Sequence, residues 1–243
     1  MSSRTALITG AASGIGAAIA RQLSMAGYKL ILVDRDSQPL QRVCDEMQEA
    51  AIQLVLDITD SAAVDSLPTN IDEDFLPINV LVNAAGHDPG GTTRFDLGDP
   101  DDWDSAIQTN LIGTMRVTRA LLPEMVARNQ GDIINIGSIA GIRIMPDMAA
   151  YTTSKAGIHA FSDMLRADLQ DSSIRVMEIL PGLTKTDLVR KRYGGDEQRA
   201  QEYYERFKMA LDPEDIAQAV EFALSAPQHA VLAQMVILPN NRW

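Results

Sequence analysis

Four polar residues, Asn110, Ser138, Tyr151 and Lys155, have the types and spacing of a proton-transfer apparatus. Tyr151 stands four residues before Lys155, one turn away on a single helical face, so a lysine ammonium can lie near the phenol and lower its pKa from about 10. A phenol adjusted in that way exchanges a proton near neutral pH. Ser138, thirteen residues upstream of the tyrosine and just past the strand-like run DIINI, can hydrogen-bond a substrate oxygen. Asn110 falls inside a helical pattern, where an amide faces solvent or bends the helix by competing for backbone bonds, and a water held there could relay protons to Lys155. A lone Tyr-x-x-x-Lys is usually an ordinary exposed helix pair. With the serine and asparagine in register, the set points to hydride transfer at a carbonyl or alcohol carbon.

Those residues need a scaffold, and the chain alternates short apolar runs with amphipathic stretches. ALIT (6 to 9), LILV (30 to 33), IQLVL (52 to 56), NVLVN (79 to 83), DIINI (132 to 136), RVMEIL (175 to 180) and MVIL (235 to 238) are strand-like. Helix-length segments at 14 to 26, 103 to 128, 151 to 170 and 213 to 225 lie between them, the pattern of a doubly wound α/β protein with a parallel sheet. In such sheets ligands bind outside the carboxyl ends of the strands, so the irregular segments 86 to 102 and 181 to 200 are expected to rim the pocket.

The first strand runs into Thr9-Gly10-Ala11-Ala12-Ser13-Gly14-Ile15-Gly16. Gly10 permits the turn, Gly14 a close approach to phosphate and Gly16 tight helix packing, while the helix N-terminus, with Ser13 and Ile15 in the same turn, offers N–H groups to a pyrophosphate. Asp34 ends the second strand, eighteen residues after Gly16, where a carboxylate accepts from both hydroxyls of an adenosine ribose and repels a 2′-phosphate. Arg35 partly offsets that repulsion, and the reading is NAD, with NADP the less favoured cofactor. Asp57 and Ile58 after the third strand, and Asn83, Ala84 and Gly86 after the fourth, extend the groove; Asp57 can accept from an adenine amino group. With a dinucleotide there, Lys155 would also hold the nicotinamide ribose, and the hydride chemistry belongs to the cofactor.

Composition narrows the classes. A chain of 243 residues, 46% hydrophobic, can bury one substantial core, and a single domain is expected. A formal charge of −12 disfavours nucleic acid and anionic membrane surfaces as partners. Met1 to Arg4 leads directly into a strand with no secretory run and no apolar stretch is of spanning length, so a cytoplasmic protein is expected. The one cysteine, Cys44, excludes an intrachain disulfide and reads as a structural thiol; no histidines have metal-ligand spacing, so no metal is expected. His159, one turn past Lys155, suits an interface, and His229 lies in a C-terminal loop.

TGAASGIG, NAAG, Asn110, Ser138, YTTSK and Pro181-Gly182 occur in the order found in short-chain dehydrogenases/reductases, and the chain resembles that family over essentially its whole length. The resemblance implies a seven-stranded Rossmann-type sheet, NAD(H) or NADP(H), and a homotetramer or homodimer whose interfaces use the long helices. It also implies cofactor contacts from Pro181, Gly182, Thr184 and Thr186. TNLIGTMRVTRALLPEMVARNQGDIINIGSIAG, PGLTKTDLVRKRYGGDEQRA and ALDPEDIAQAVEFAL further resemble the branch acting on serine and other short 3-hydroxy acids, which includes reductases of small sulfonated aldehydes. In that branch an arginine after Pro-Gly holds the substrate acid, and Arg192 matches it.

The residues themselves agree. Lys185, Arg190, Lys191 and Arg192 concentrate positive charge in an acidic chain, in a segment (181 to 210) expected to act as a substrate lid, and an arginine fork binds a carboxylate or sulfonate. Arg143 is a second candidate at the pocket mouth, and His87, beside Asp88 in His87-Asp88-Pro89-Gly90-Gly91, a candidate contact for a polar substrate. The branch commonly carries a glycine and arginines after its second strand; here the sequence is Val33-Asp34-Arg35-Asp36. Two other readings remain: reduction of a 3-oxoacyl, sugar or other bulky carbonyl compound, and a cofactor-binding module without turnover.

Overall fold

A computed structural model describes residues 4–90, 92–207 and 209–240. Met1 to Ser3, Gly91 of the His87 loop and Lys208 of the expected lid lie outside the described residues. Seven strands, β1 (Thr5–Thr9), β2 (Lys29–Asp34), β3 (Ala51–Val55), β4 (Ile78–Asn83), β5 (Gly131–Ile136), β6 (Ile174–Pro181) and β7 (Gln234–Ile237), form one parallel sheet in the order β3-β2-β1-β4-β5-β6-β7. All seven apolar runs in the sequence are strands. Every residue of β1, β5 and β6 is buried, as expected where helices cover both faces of a parallel sheet.

Alternation along the strands separates two cores. Ala6, Ile8, Val80 and Ile134 face one side with α1 (Gly14–Met25), α2 (Ser37–Asp45) and α9 (Pro213–Ser225). Leu7, Ile31, Leu81 and Ile133 face the other, with α3 (Ser61–Ser66), α5 (Thr114–Arg128) and α6 (Ala149–Asp168). The short α4 (Pro100–Ile107), α7 (Asp187–Arg192) and α8 (Glu197–Glu205) complete the chain.

The expected continuous helix over 103 to 128 is not one helix. α4 starts earlier, and a π-helical turn, Gln108–Gly113, separates it from α5. The cause is Asn110, whose side chain turns inward instead of facing solvent and bonds to other parts of the chain.

One ion pair sits inside the sheet. Asp132 of β5 and Arg175 of β6 are in register and almost wholly buried, joined at 2.6 and 2.9 Å. The guanidinium also donates to the carbonyls of Leu224 and Ala226 at the end of α9, and Arg4 adds a second cation to Asp132. Its donors and acceptors are thus matched, the condition under which a buried pair is tolerated. Arg175→Ala is predicted to destabilise the protein by about 3–5 kcal/mol in urea unfolding, because it strands the Asp132 carboxylate; a loss below about 1 kcal/mol would mean that Arg4 alone satisfies it.

Candidate active site

Strand order reverses between β1 and β4, and a cavity of about 460 Å³ opens there. The turn after β1 forms one wall. Gly10 has φ +68°, and a Cβ on it would lie 2.6 Å from the Ala85 Cα; a Cβ on Gly16 would lie 2.1 Å from the Gly10 carbonyl oxygen. Only glycine fits either position, and the fit brings α1 and the NAAG segment against the turn. Thr9 Oγ1 accepts the Ala84 and Ala85 N–H groups at 3.2 Å, fixing that contact. Gly10, Ser13, Gly14, Ile15 and Gly16 line the cavity with Ala84 and Gly86, and the first turn of α1 points its free N–H groups at it. A flat, phosphate-bearing cofactor fits such a wall.

Asp34 stands at the edge of the same cavity with its carboxylate fixed: Oδ2 accepts the Ala12 N–H at 3.0 Å and Oδ1 the Asp36 N–H at 3.1 Å. Arg35 approaches Asp57 at 3.9 Å. Burial pushes the Asp57 carboxyl up, but hydrogen bonds from Thr59 and the charge of Arg35 outweigh it and leave it below the ordinary value. Asp36 and Ile58 line this end too, and Pro181, Gly182, Thr184 and Thr186 line the opposite wall.

Ser138, Tyr151 and Lys155 come together at the other end. Ser138 follows β5 and caps a short turn by accepting the Ala140 N–H at 3.1 Å. Lys155 is 5% exposed; its Nζ donates to the Ile136 carbonyl at 2.9 Å and lies 5.9 Å from the Tyr151 ring centroid. The expected lowering of the tyrosine pKa is not found. Burial and the nearby Asp88 carboxylate push Tyr151 up to about 12 against a hydrogen bond from Ser138, while burial brings Lys155 down to about 8. The ammonium is engaged by a backbone carbonyl, which limits what it does for the phenol.

Asn110 lies behind these groups, not in the cavity wall. Its Oδ1 accepts the His87 N–H at 2.6 Å, and its Nδ2 donates to the His87 carbonyl at 2.8 Å and to Ser154 Oγ at 2.9 Å. The π-helical turn therefore locks the loop after β4 to α6. Asn83 is likewise beneath the groove: its amide donates to Thr118 and Asn135, because the strand directs that side chain toward α5. Arg143 is exposed and outside the cavity lining, since the turn Ile139–Gly141 carries the chain away. His87 does line the cavity, and burial followed by the charges of Arg35 and Lys191 lowers its pKa, which keeps it neutral at pH 7.

The basic segment divides. Lys185 pairs with Asp212, and Arg190 with Asp187 and Glu197, at the surface. Arg192 turns inward, 6% exposed, and its Nε and Nη2 meet Asp88 Oδ2 at 2.7 and 2.6 Å. Burial disfavours charge on the guanidinium, but Asp88 and the Tyr203 phenol outweigh it and keep Arg192 protonated, while burial pushes the Asp88 carboxyl up against the pull of Arg192. The guanidinium lies 5.0 Å from the Tyr203 ring centroid, and its Nη1 is buried without a hydrogen-bond partner. Sequence reasoning noticed Asp88 but assigned it no partner, and it missed Tyr203; the tie spans 104 residues, and no local pattern marks it. Met145, Met148, Leu188 and Phe207 add apolar lining. Among the described residues no cluster of His, Cys, Asp and Glu is placed to hold a metal, and no helix is long and apolar enough to cross a membrane.

The pattern that defines the short chain dehydrogenases matches residues 4–197, and the chain belongs to that family of NAD(P)-dependent oxidoreductases. It is 35% identical to an NADP-dependent 3-hydroxy acid dehydrogenase of Schizosaccharomyces pombe, over 98% of this chain and 93% of the relative. It is 34% identical to sulfoacetaldehyde reductase 2 of Chromohalobacter salexigens, over 97% and 94%. The closed form of a serine dehydrogenase complexed with NADP⁺ superposes with a TM-score of 0.93 at 34% identity, covering 98% of this chain and 96% of that one.

Asn110→Ala is predicted to cost about 2 kcal/mol or more in urea unfolding, because the half-buried His87 backbone loses two hydrogen bonds and the buried Ser154 one. A cost under about 0.5 kcal/mol would show that water replaces the amide.

Proposed function

We propose that this protein catalyses reversible oxidation of the hydroxyl of a small, polar, anionic compound, such as a 3-hydroxy acid, a serine-like acid or a hydroxysulfonate, with NAD as the preferred cofactor. The observation that carries the substrate reading is Arg192. A protonated guanidinium buried in the cavity that holds Ser138 and Tyr151, with Nη1 unpartnered, is a ready donor to a carboxylate or sulfonate. Asp88 takes the other edge of the fork and sets its direction.

The nicotinamide group, when bound, would supply the hydride acceptor or donor. The chain supplies the rest. Gly10, Ser13, Gly14, Ile15 and Gly16 would hold the pyrophosphate, Asp34 the adenosine ribose, and Lys155 the nicotinamide ribose. Ser138 Oγ donates to the substrate oxygen and orients it. In reduction Tyr151 Oη gives its proton to the carbonyl oxygen; in oxidation the phenol first gives up its own proton to solvent, and the phenolate then takes the hydroxyl proton. Asn110 keeps the loop after β4 and α6 in register around that proton path. The segment 181 to 210 acts as the lid, with Arg192 its inward contact.

Three carboxylates, Asp34, Asp36 and Asp57, face one arginine where a 2′-phosphate would sit, and Arg35 is turned toward Asp57; this supports NAD. The named NADP-dependent relatives differ from this reading. NAD suits the oxidative direction. The apolar residues Met145, Met148, Leu188 and Phe207 favour a second reading, reduction of a bulkier carbonyl compound. Exposed Met115, Val126 and Met164 on α5 and α6 support a homotetramer or homodimer, and the place of work proposed for it is the cytoplasm.

Tyr151→Phe should lower kcat by roughly 10²- to 10⁴-fold and leave cofactor binding intact; retained turnover would remove Tyr151 from the mechanism. Arg192→Ala should raise KM about tenfold or more for acidic substrates and little for neutral ones, and an equal effect on both would discard the anion contact. Asp34→Ala should move the kcat/KM ratio toward NADP⁺ by about tenfold, whereas an unchanged ratio would mean that Asp34 does not select the cofactor.

A further inference from the structure

Glu178 is a carboxylate in the middle of β6 with no exposure at all, between Met177 and Ile179 of the core. A buried charge needs partners, and this one has half of them. Its Oε2 meets His159 Nδ1 at 2.8 Å, while its Oε1 is buried with no hydrogen-bond partner. The unpartnered oxygen lies against Gly137, where a Cβ would stand 2.4 Å from it. Gly137 is flanked by Ile136, whose carbonyl holds the Lys155 ammonium, and by Ser138. The carboxylate and the ammonium therefore pack against the same end of β5. His159, one turn beyond Lys155 on α6, is half-buried and comes within 3.9 Å of the exposed Asp163.

We propose that Glu178 is a positioning residue that keeps Lys155 in its ammonium form at the end of β5, and that His159 links this buried carboxylate to solvent. The proposal rests on the role given above to Lys155 in holding the cofactor ribose. It extends the site by two residues that touch neither the cavity nor a ligand.

The surrounding charges give the sign. Lys155 faces Glu178 from β6, Asp88 from the loop after β4 and the Tyr151 phenol from its own helix. Burial lowers its pKa, and Glu178 then Asp88 oppose that fall. Glu178 faces His159, Asp163 and Arg166 from α6, with the neutral Asn135 and Gln234 beside it on β5 and β7. Burial raises its pKa; His159 and Arg166 pull it back and Asp163 adds to the rise. Taking the charge off Glu178 leaves burial less opposed, and Lys155 gives up its proton at lower pH.

The test is NADH binding by fluorescence to the full chain, from about pH 6 to about pH 10, for the wild type, Glu178→Gln, Glu178→Asp, His159→Gln and Lys155→Ala. Wild-type affinity should fall on an alkaline limb as Lys155 deprotonates. Glu178→Gln should move that limb down by about one pH unit, and Glu178→Asp, which keeps the charge, should leave it near the wild-type position. His159→Gln, a change from the half-buried side, should shift it the same way by less, and it reports on the pair if the glutamine variant does not fold. A limb that stays in place in both Glu178→Gln and His159→Gln, or an affinity lowered by one factor at every pH, would make the pair purely structural and overturn the proposal. Lys155→Ala with an unchanged profile would instead overturn the role of Lys155 itself.

Discussion

An ammonium held almost entirely out of water is the constraint around which this molecule is arranged. Lys155 is 5% exposed, and burial weighs against its charge. What it is given in return is the Ile136 carbonyl, at the end of β5. That anchor ties α6 to β5, so Tyr151, one turn earlier, and Ser138, two residues past the carbonyl, arrive at the same end of the cavity. The Asn110 amide then fastens the loop after β4 to the same helix through Ser154. Rigid elements thus set the positions of the polar groups, which is what a site handling protons requires.

Charge is distributed along the cavity in three compartments. At the end lined by Asp34, Asp36 and Asp57 the carboxylates outnumber the single Arg35. At the catalytic end Lys155 stands near Glu178 and Asp88. Toward α7 Arg192 is buried against Asp88 and lies over the Tyr203 ring. Asp88 belongs to the last two, and it both aims the guanidinium and raises the Tyr151 phenol. In a chain of net charge −12, placing one inward arginine beside that phenol sets this end of the cavity apart from the acidic exterior.

The strands were legible because buried parallel strands are short apolar runs, and β1 to β7 each coincide with one to within a residue or two. The glycine turn and the Tyr-x-x-x-Lys pair were legible because both depend on spacing within one turn or one helix. What could not be read depends on which way a side chain points after folding. Asn110 sits in what the sequence shows as an ordinary amphipathic helix, and only its inward bonds explain the π-helical turn. Of four basic residues in one short segment, Arg192 turns in while Lys185 and Arg190 pair outside, a division decided by Asp88 more than a hundred residues away. The lysine one turn on predicts a lowered tyrosine; enclosure of the ring and the nearby Asp88 carboxylate reverse that sign.

The central claim is that a nicotinamide oxidoreductase is fitted here to a small anion through Arg192 and to NAD through Asp34. Initial rates of NAD⁺ and NADP⁺ reduction across matched hydroxy acids, hydroxysulfonates, neutral diols and sugar alcohols test it most directly. Selective turnover of an acidic substrate, faster with NAD⁺, is the expected result. Preference for neutral or bulky alcohols, or for NADP⁺, would contradict it and leave only the dehydrogenase class standing.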